Sequence, residues 1–294
     1  MNQHTDERAE KVIIKNTIRE LSSISQGQLG SDGDGVKLTR LIGNQEVDML
    51  DPFLLLDLFE SNQASDYIGG FPDHPHRGFE TVTYMLAGKM RHKDSAGNEG
   101  VISANGVQWM TAGKGVVHSE MPEQESGLLK GFQLWVNLPK THKMIEPAYQ
   151  EFPENELAME YGDDGSEIRV ISGTTNKGTT GPVINTHVKP TYMDVNLPAG
   201  TIFEQALPMK DNAFIFVIDG SVSVGNSDQQ LRQNQLGILS KGDTVIVTSS
   251  SENSIFLLIS GKPLNEKVAR GGPFVMNTKA EVMQAFHDFQ NNKF

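Results

Sequence analysis

The sequence predicts an all-β protein built from two tandem barrels and a short C-terminal helix. Short apolar runs are interrupted at close intervals by Gly, Pro, Asn or Asp, one strand–turn–strand pattern occurs twice, and a helix-capping pattern occurs near residue 278. Short strands with frequent turn signals are typical of sandwiches and barrels rather than of alternating strands and helices. A length of 294 residues is compatible with two such domains.

The repeated pattern indicates that the two barrels have a similar design. Residues 83–90 read as an apolar strand, a turn at Gly88 and a second strand, and residues 216–222 repeat this order around Gly220. Internal similarity of this kind is expected from a duplicated structural unit. We therefore predict five segments: a flexible tail at residues 1–10, an N-terminal metal-binding barrel at 11–145, a linker at 146–165, a C-terminal barrel without metal at 166–265, and a segment at 266–294 whose helix packs on a barrel.

The predicted helix begins with a capping box. Thr278 supplies a hydroxyl at the N-cap, and Glu281 supplies a carboxylate three residues later. Apolar residues then recur at near-helical spacing, which predicts an amphipathic helix that covers an apolar surface: Val282, Met283, Phe286 and Phe289.

Composition limits the classes of function. The 25 basic and 37 acidic residues give a net charge of -12, which disfavours direct nucleic-acid binding. Cysteine is absent, so a metal site would have to use nitrogen and oxygen donors. The first 15 residues lack the apolar region of a secretory signal, and no apolar run is long enough to span a membrane. We therefore expect a cytoplasmic protein without a membrane partner, and a monomer, since two barrels can cover each other's apolar faces.

Two short motifs predict a metal site. His74 and His76 are two residues apart, as are His118 and Glu120. In an extended strand such side chains point to the same face, with Cα atoms about 6.6 Å apart. Three imidazoles and one carboxylate suit a first-row divalent ion, and an octahedral ion would keep two positions open for catalysis or ligand exchange. The other histidines occur singly, and we do not expect them to bind metal: His4, His92, His142, His187 and His287.

Glu80 is an alternative carboxylate. It lies four residues after His76, which is about 13 Å along an unbroken strand and too far to share an ion. A turn at Gly78 could bring Glu80 back, because glycine tolerates the required backbone angles. Glu120 needs no special backbone and is the preferred ligand, while Glu80 could orient an imidazole from outside the ligand set.

Apolar and amide side chains near these motifs could form a pocket for a flat aromatic ligand or could be barrel core. The candidates are Trp109, Met110, Phe132, Gln133 and Trp135. Alternation along a strand puts Gln133 and Trp135 on one face and Phe132 on the other, so both interpretations can hold in part.

The motifs resemble those of the pirin family of the cupin superfamily. The spacing from His74 to Gly88 resembles the first cupin motif, and residues 113–118 resemble the second. The stretches that resemble pirins are HPHRGFETV (74–82), QWMTAG (108–113), HSEMP (118–122), QLWVNLP (133–139) and GPFVMNT (272–278). Together they extend from about residue 70 to the C-terminal helix.

The resemblance implies a bicupin with one divalent metal ion in the first barrel only. The family's ligands correspond to His74, His76, His118 and Glu120. The second barrel has no His-x-His motif, and His187 stands alone there. Pirin-like proteins typically bind iron, so Fe²⁺ is the expected ion. The same donor set also suits manganese, cobalt, nickel, copper or zinc.

Two functions are compatible with this family. Several bacterial members resemble quercetin 2,3-dioxygenases, which implies O₂-dependent cleavage of a flavonol or related phenol. In that hypothesis, Glu120 takes the proton of the flavonol 3-hydroxyl, the central ring is cleaved, and carbon monoxide is released. Eukaryotic pirins are instead regarded as redox-sensitive transcription cofactors, which implies a protein-interaction module without turnover. A cupin isomerase or another oxygenase is a third hypothesis, which the pirin-like stretches disfavour.

Overall fold

The computed structural model describes residues 16–250 and 252–294. The predicted tail at residues 1–10 lies outside this part of the chain. The described residues form the following strands and one α-helix: β1 (Leu21–Ser25), β2 (Gln28–Asp32), β3 (Val36–Ile42), β4 (Phe53–Ser61), β5 (Phe71–His76), β6 (Phe79–Ala87), β7 (Lys89–Asp94), β8 (Glu99–Ser103), β9 (Val107–Thr111), β10 (Val116–Pro122), β11 (Leu129–Asn137), β12 (Ala148–Phe152), β13 (Ala158–Tyr161), β14 (Glu167–Ser172), β15 (Thr191–Leu197), β16 (Ile202–Ala206), β17 (Asn212–Asp219), β18 (Ser221–Val224), β19 (Gln230–Arg232), β20 (Leu236–Leu239), β21 (Thr244–Ser249), β22 (Ser254–Gly261), β23 (Ala269–Gly271), β24 (Phe274–Met276) and α1 (Lys279–Gln290).

The described strands form two barrels of the same design. In the first, a seven-stranded sheet in the order β12-β9-β6-β11-β4-β3-β2 accompanies a four-stranded sheet in the order β5-β10-β7-β8. In the second, the corresponding orders are β1-β20-β17-β22-β15-β14-β13 and β16-β21-β18-β19. The prediction of an all-β bicupin with a short C-terminal helix is confirmed.

The repeated sequence pattern corresponds to the same turn in both barrels. Gly88 joins β6 to β7, and Gly220 joins β17 to β18. Both glycines have positive φ, at 82° and 73°, which other residues rarely adopt. In each barrel this turn leads the chain from the seven-stranded sheet into the four-stranded sheet.

The two barrels exchange edge strands. Strand β1, which precedes the first barrel, pairs with β20 of the second barrel. Strand β12, which precedes the second barrel, pairs with β9 of the first. The predicted segments at 11–145 and 146–165 did not include this exchange, because alternation identifies a strand and leaves its distant partner undetermined.

Three apolar cores follow from this arrangement. One core lies inside each barrel and joins its two sheets, with Met85 and Met90 in the first barrel and Val217 and Val222 in the second. The largest core joins the seven-stranded sheets of the two barrels, where Phe132 packs on Phe216 with ring centroids 5.3 Å apart. The seven-stranded sheet of the first barrel therefore buries both faces, and only its inner face is available for a site.

Helix α1 begins as predicted. The Thr278 side chain accepts a hydrogen bond from the Glu281 backbone N–H, and the Glu281 side chain accepts one from Thr278. Val282 and Ala285 are buried, whereas Met283 is 66% exposed. Met283 therefore does not belong to the buried face, because neighbouring positions on a helix are about 100° apart. No helix in the described part of the chain is both long and apolar enough to cross a membrane.

Candidate metal centre

Strands β5 and β10 bring the two sequence motifs together. They pair antiparallel, and His118 lies directly opposite His74. His76 is two residues further along β5 and points to the same side of the strand. The ring centroids are 4.6 Å apart for His74–His76, 4.5 Å for His74–His118 and 5.0 Å for His76–His118. The three imidazoles therefore form a compact group inside the first barrel.

The ring nitrogens of this group converge. One nitrogen from each of His74, His76 and His118 lies within 4.8 Å of the others. The Nε2 atoms of His74 and His76 are 3.0 Å apart. Two nitrogens at right angles around a divalent ion, each at about 2.1 Å from it, are also separated by about 3.0 Å. These residues therefore fit a divalent metal ion.

Burial keeps two of these imidazoles in the neutral form that binds metal. His118 is 1% exposed, and neither of its ring nitrogens has a hydrogen-bond partner in the described part of the chain. Burial and the nearby His74 lower the pKa of His118 to about 3, and burial also lowers the pKa of His76 well below its usual value. Both are neutral at pH 7, and a metal ion would give the buried His118 nitrogen the partner it lacks.

His74 has one ring nitrogen held by the backbone. Its Nδ1 lies 2.8 Å from the Pro72 carbonyl oxygen. A proton on Nδ1 satisfies this contact and leaves Nε2 with a free lone pair toward His76 and His118. Many metal-binding histidines are fixed in this way by a backbone carbonyl.

Glu120 lies on the same strand as His118 but is not part of the converging group of three histidines. It is 3% exposed, and its Oε1 accepts a hydrogen bond from Thr83 Oγ1 at 2.7 Å. Its Oε2 accepts one from Gln133 Nε2 at 2.8 Å. The hydroxyl of Thr83 also lies 2.8 Å from Gln133 Oε1. Glu120 is therefore a buried carboxylate with two polar partners, and it borders the cavity described below.

Glu80 lies elsewhere. It shares its face of β6 with Val82 and Tyr84, which pack against the second barrel. Its carboxylate accepts hydrogen bonds from Thr111 Oγ1 at 2.8 Å and from Asn185 Nδ2. Burial raises its pKa to about 7. The turn at Gly78, with φ of 88°, does not fold Glu80 back into the group of three histidines.

A cavity of about 530 Å³ opens beside the histidines. Such a volume is typical of pockets for small organic ligands. Trp135 forms part of its wall and packs against Phe79 and His76, at centroid distances of 4.4 and 5.2 Å. The residues that line the cavity come from the first barrel and from the C-terminal segment: Asp32, Gly33, Leu38, Arg40, Gly43, Leu55, Asp57, Phe59, Phe71, Pro72, His74, His76, Glu120, Gln133, Trp135, Arg270, Gly272 and Pro273.

The five predicted pocket residues lie in three different surroundings. Gln133 and Trp135 line the cavity. Trp109 and Phe132 face the second barrel and belong to the core between the sheets, so they do not line it. Met110 packs with Ala112 and Val116 in a small separate cluster. Alternation along β11 predicted the division within that strand, but no local pattern indicates the direction in which β9 faces.

Several residues in or beside the cavity were not predicted. Thr83 is a buried threonine of β6 that does not line the cavity but contacts Glu120 and Gln133, which do. Arg40 forms a two-pronged pair with Asp57, at 2.9 and 2.7 Å, and depends on a pairing between β3 and β4. Arg270 reaches the cavity only because the C-terminal segment folds onto the first barrel.

The remaining described histidines do not form a second metal group. Among the described residues, the group of His74, His76 and His118 is the one cluster of three or more potential ligands. His92 is buried beside Glu151, with Nε2 to Oε2 at 2.6 Å. His142 and His187 lie side by side, with ring centroids 4.3 Å apart.

Comparison with known proteins identifies the family. Residues 35–136 match the family model described as Pirin, and residues 192–294 match the model described as Pirin C-terminal cupin domain. The chain belongs to the pirin family. A pirin-like protein of Caulobacter vibrioides is 52% identical over 277 residues, which cover 94% of this chain and 99% of that protein.

Solved structures agree with the bicupin fold of this pirin-family chain. A quercetin 2,3-dioxygenase from Acinetobacter baumannii superposes with a TM-score of 0.86 at 35% identity, covering 95% of this chain and 99% of that one. The bacterial pirin YhhW of Escherichia coli, solved in complex with nickel(II), superposes with a TM-score of 0.62 at 20% identity, covering 85% and 99%. At 20% identity, the similarity to YhhW is evidence for the fold alone.

Proposed function

We propose that this pirin-family chain is a metal-dependent dioxygenase that cleaves quercetin or a related flavonol or phenol with O₂. The observation that carries the proposal is the convergence of three imidazoles, two of which line a cavity of about 530 Å³. A metal site with so few protein donors leaves positions open for a substrate. The similarity to a solved quercetin 2,3-dioxygenase supports this choice of reaction.

The proposed metal is Fe²⁺, held by His74, His76 and His118, with Glu120 as the fourth donor. When bound, iron would supply a Lewis acid for the substrate hydroxyl and the one-electron chemistry that a reaction with O₂ requires. His76 and His118 contribute neutral nitrogen donors, because burial keeps the pKa of both side chains low.

The cavity walls suit a flat aromatic substrate. The Trp135 ring offers an apolar face next to His76, and Phe71 and Pro273 also line the cavity. Aromatic rings stack on such faces with modest energies, of about 0.5–1.5 kcal/mol per pair beyond area burial. This wall would exclude water from the substrate and orient its hydroxyl groups toward the histidines.

Glu120 is the proposed base for the flavonol 3-hydroxyl. Thr83 has a single hydroxyl proton but faces two acceptors, Glu120 Oε1 and Gln133 Oε1. While Glu120 is ionised, the hydroxyl donates to it. Once Glu120 Oε1 has taken a proton, it can donate to Thr83 Oγ1, and the hydroxyl can rotate to donate to Gln133. Glu120 Oε1 and Thr83 Oγ1 then stay hydrogen-bonded to each other in both protonation states, and only the direction of donation changes.

The proposal is tested by following quercetin absorbance with Fe²⁺-loaded protein, with and without O₂, at a substrate excess of at least tenfold. Oxygen-dependent loss of many equivalents, accompanied by release of carbon monoxide, is the expected result. Glu120→Gln should abolish turnover, whereas Glu125→Gln, an exposed control, should not. Unchanged turnover in the Glu120→Gln variant would contradict the role of the base.

A fully iron-loaded protein that leaves quercetin intact would contradict the dioxygenase proposal. That outcome would favour the alternative of a redox-sensing interaction module, in which the oxidation state of iron alters the surface that a protein partner contacts.

A further inference from the structure

The C-terminal hairpin of the chain forms part of the rim of the metal cavity. Strands β23 and β24 pair antiparallel, and Gly272 and Pro273 form the connecting turn. Arg270, Gly272 and Pro273 line the cavity together with His74 and His76. Arg270 and Gly272 are exposed, whereas His76 and Glu120 are buried, so the hairpin lies at the open end.

Backbone hydrogen bonds fix this hairpin relative to the histidines. The Val275 N–H donates to the Arg77 carbonyl at 3.0 Å, and the Arg77 N–H lies 3.4 Å from the Pro273 carbonyl oxygen. Arg77 directly follows His76 in the chain. The buried amine of Lys143 also donates to the Val275 carbonyl at 2.9 Å. The position of Arg270 is therefore defined relative to the metal-binding motif.

The two arginines of the cavity differ in their charge partners. Arg40 pairs with Asp57 at 2.7 Å and with Asp32 at 3.1 Å, so two carboxylates compensate its charge. Arg270 makes one long contact, of 3.4 Å, from Nη1 to the Asp48 carbonyl oxygen. Within the described residues it has no carboxylate within ion-pair distance. An arginine is always charged and offers several N–H donors to a carboxylate or another oxyanion.

We propose that Arg270 selects substrates that carry an anionic oxygen group, such as a carboxylate, at the end opposite their metal-binding hydroxyl. This inference rests on the proposed function, since it assumes that an aromatic substrate binds next to the histidines. The substrate class is then an aromatic compound with one end at the metal, a ring against Trp135, and an anionic end at the rim. A local cation is needed for such a ligand, because the chain as a whole has a net charge of -12.

The test compares two probes that differ in one carboxylate: 3-hydroxyflavone and its 4′-carboxylate derivative. Affinities are measured by absorbance titration of Ni²⁺-loaded protein without O₂, for the wild type, Arg270→Gln, Arg270→Lys and the exposed control Arg232→Gln. The wild type and the control should bind the carboxylate about tenfold more tightly than 3-hydroxyflavone. Arg270→Gln should lose this preference, so that its affinities for the two probes agree within twofold. Arg270→Lys should keep part of it.

Equal binding of both probes by the wild type, or a preference that survives Arg270→Gln, would overturn the inference and leave the proposed function intact. Binding of neither probe to metal-loaded wild type would contradict the proposed function itself, and the inference with it.

Discussion

At the scale of single residues, Thr83 is the hydroxyl that contacts the proposed base, Glu120. It faces the inside of the first barrel on β6, directly opposite Gln133 on β11, and contacts Glu120 on β10. A hydroxyl that serves two acceptors with one proton can adjust when the carboxylate changes its protonation state. A methyl group in its place can neither donate nor accept these hydrogen bonds.

Replacing Thr83 by Val should therefore slow turnover without removing the metal. We expect kcat for quercetin to fall by about tenfold or more, since positioned acid–base groups contribute at least this much. Thr83→Ser should restore most of the rate because it keeps the hydroxyl. The kcat–pH profiles and metal contents of the three proteins test this. Equal kcat values for Thr83→Val and the wild type would show that the Thr83 hydroxyl takes no part in the proton transfer.

The raised pKa of Glu80 leads to a prediction about the pH dependence of stability. Burial raises its pKa in the folded protein to about 7, above the unfolded value of 4.5. Between these values the folded state binds the proton that the unfolded state has released, so the free energy of unfolding falls as pH rises from about 4.5 to 7. Above pH 7 this loss is complete.

Glu80→Gln should remove this contribution. From pH 5 to pH 8, the wild type should lose about 2–3 kcal/mol of unfolding free energy relative to the variant, at about 1.4 kcal/mol per pKa unit. Urea unfolding of both metal-free proteins at the two pH values measures the difference, in which the other titrating groups cancel. A constant difference would mean that Glu80 titrates normally. Metal binding should be unaffected, since Glu80 lies outside the group of histidines.

The residues that the sequence could identify are those whose side-chain direction follows from local alternation. The His74–His76 pair and the shared face of Gln133 and Trp135 are of this kind. The direction in which Trp109 points depends on which sheet face meets the second barrel. That is a property of the packed molecule, and no local pattern contains it.

At the scale of elements, the C-terminal hairpin and helix support the metal-binding motif. Arg77 Nη1 pairs with Asp288 of α1 at 2.8 Å, and Arg77 Nε donates to the Lys114 carbonyl. Gly78 passes so close to β24 that a Cβ atom there would lie 2.1 Å from the Val275 carbonyl oxygen. The segment that follows His76 is thus held between the first barrel and the C-terminal elements.

Asp288→Ala should weaken this support, because it removes the carboxylate that pairs with the buried guanidinium of Arg77. We expect a lower urea midpoint and a loss of Ni²⁺ affinity of up to about tenfold. This is the lower end of the effect of changing residues that hydrogen-bond directly to metal ligands, which Asp288 does not do. Asp163→Ala, in an exposed turn, is the matched control. If the affinities of both variants equalled that of the wild type, the C-terminal elements would have no influence on the metal site.

The helix itself was predictable, whereas its docking site was not. The capping box of Thr278 and Glu281 is a local signal that requires only four residues. The contact between Asp288 and Arg77 spans most of the chain, and the reach of Arg270 into the cavity depends on the same long-range docking.

At the scale of the whole molecule, the two barrels form one packed unit. The exchanged strands β1 and β12 each complete the sheet of the other barrel, and the largest core lies between them. The buried Tyr84 hydroxyl donates to Asp194 of the second barrel at 2.5 Å, and Arg169 lies 3.4 Å from the same carboxylate. Separation of the barrels would expose this core and leave Asp194 without Tyr84.

The barrels should therefore unfold together. Both tryptophans, Trp109 and Trp135, lie in the first barrel, so their fluorescence reports that barrel, whereas far-UV circular dichroism reports both. In urea, the two signals should give the same midpoint. Two separate midpoints would show that the barrels unfold independently despite the exchanged strands.

The central claim is that His74, His76 and His118 hold one divalent metal ion. Its most direct test is the metal content after loading with Fe²⁺ without O₂ and desalting, measured by mass spectrometry for the wild type, His118→Ala and His287→Ala. The wild type and the exposed His287→Ala control should each retain about one ion per chain. The His118→Ala variant should retain almost none while keeping the circular dichroism of the folded protein. An undiminished metal content in His118→Ala would contradict the assignment of the site.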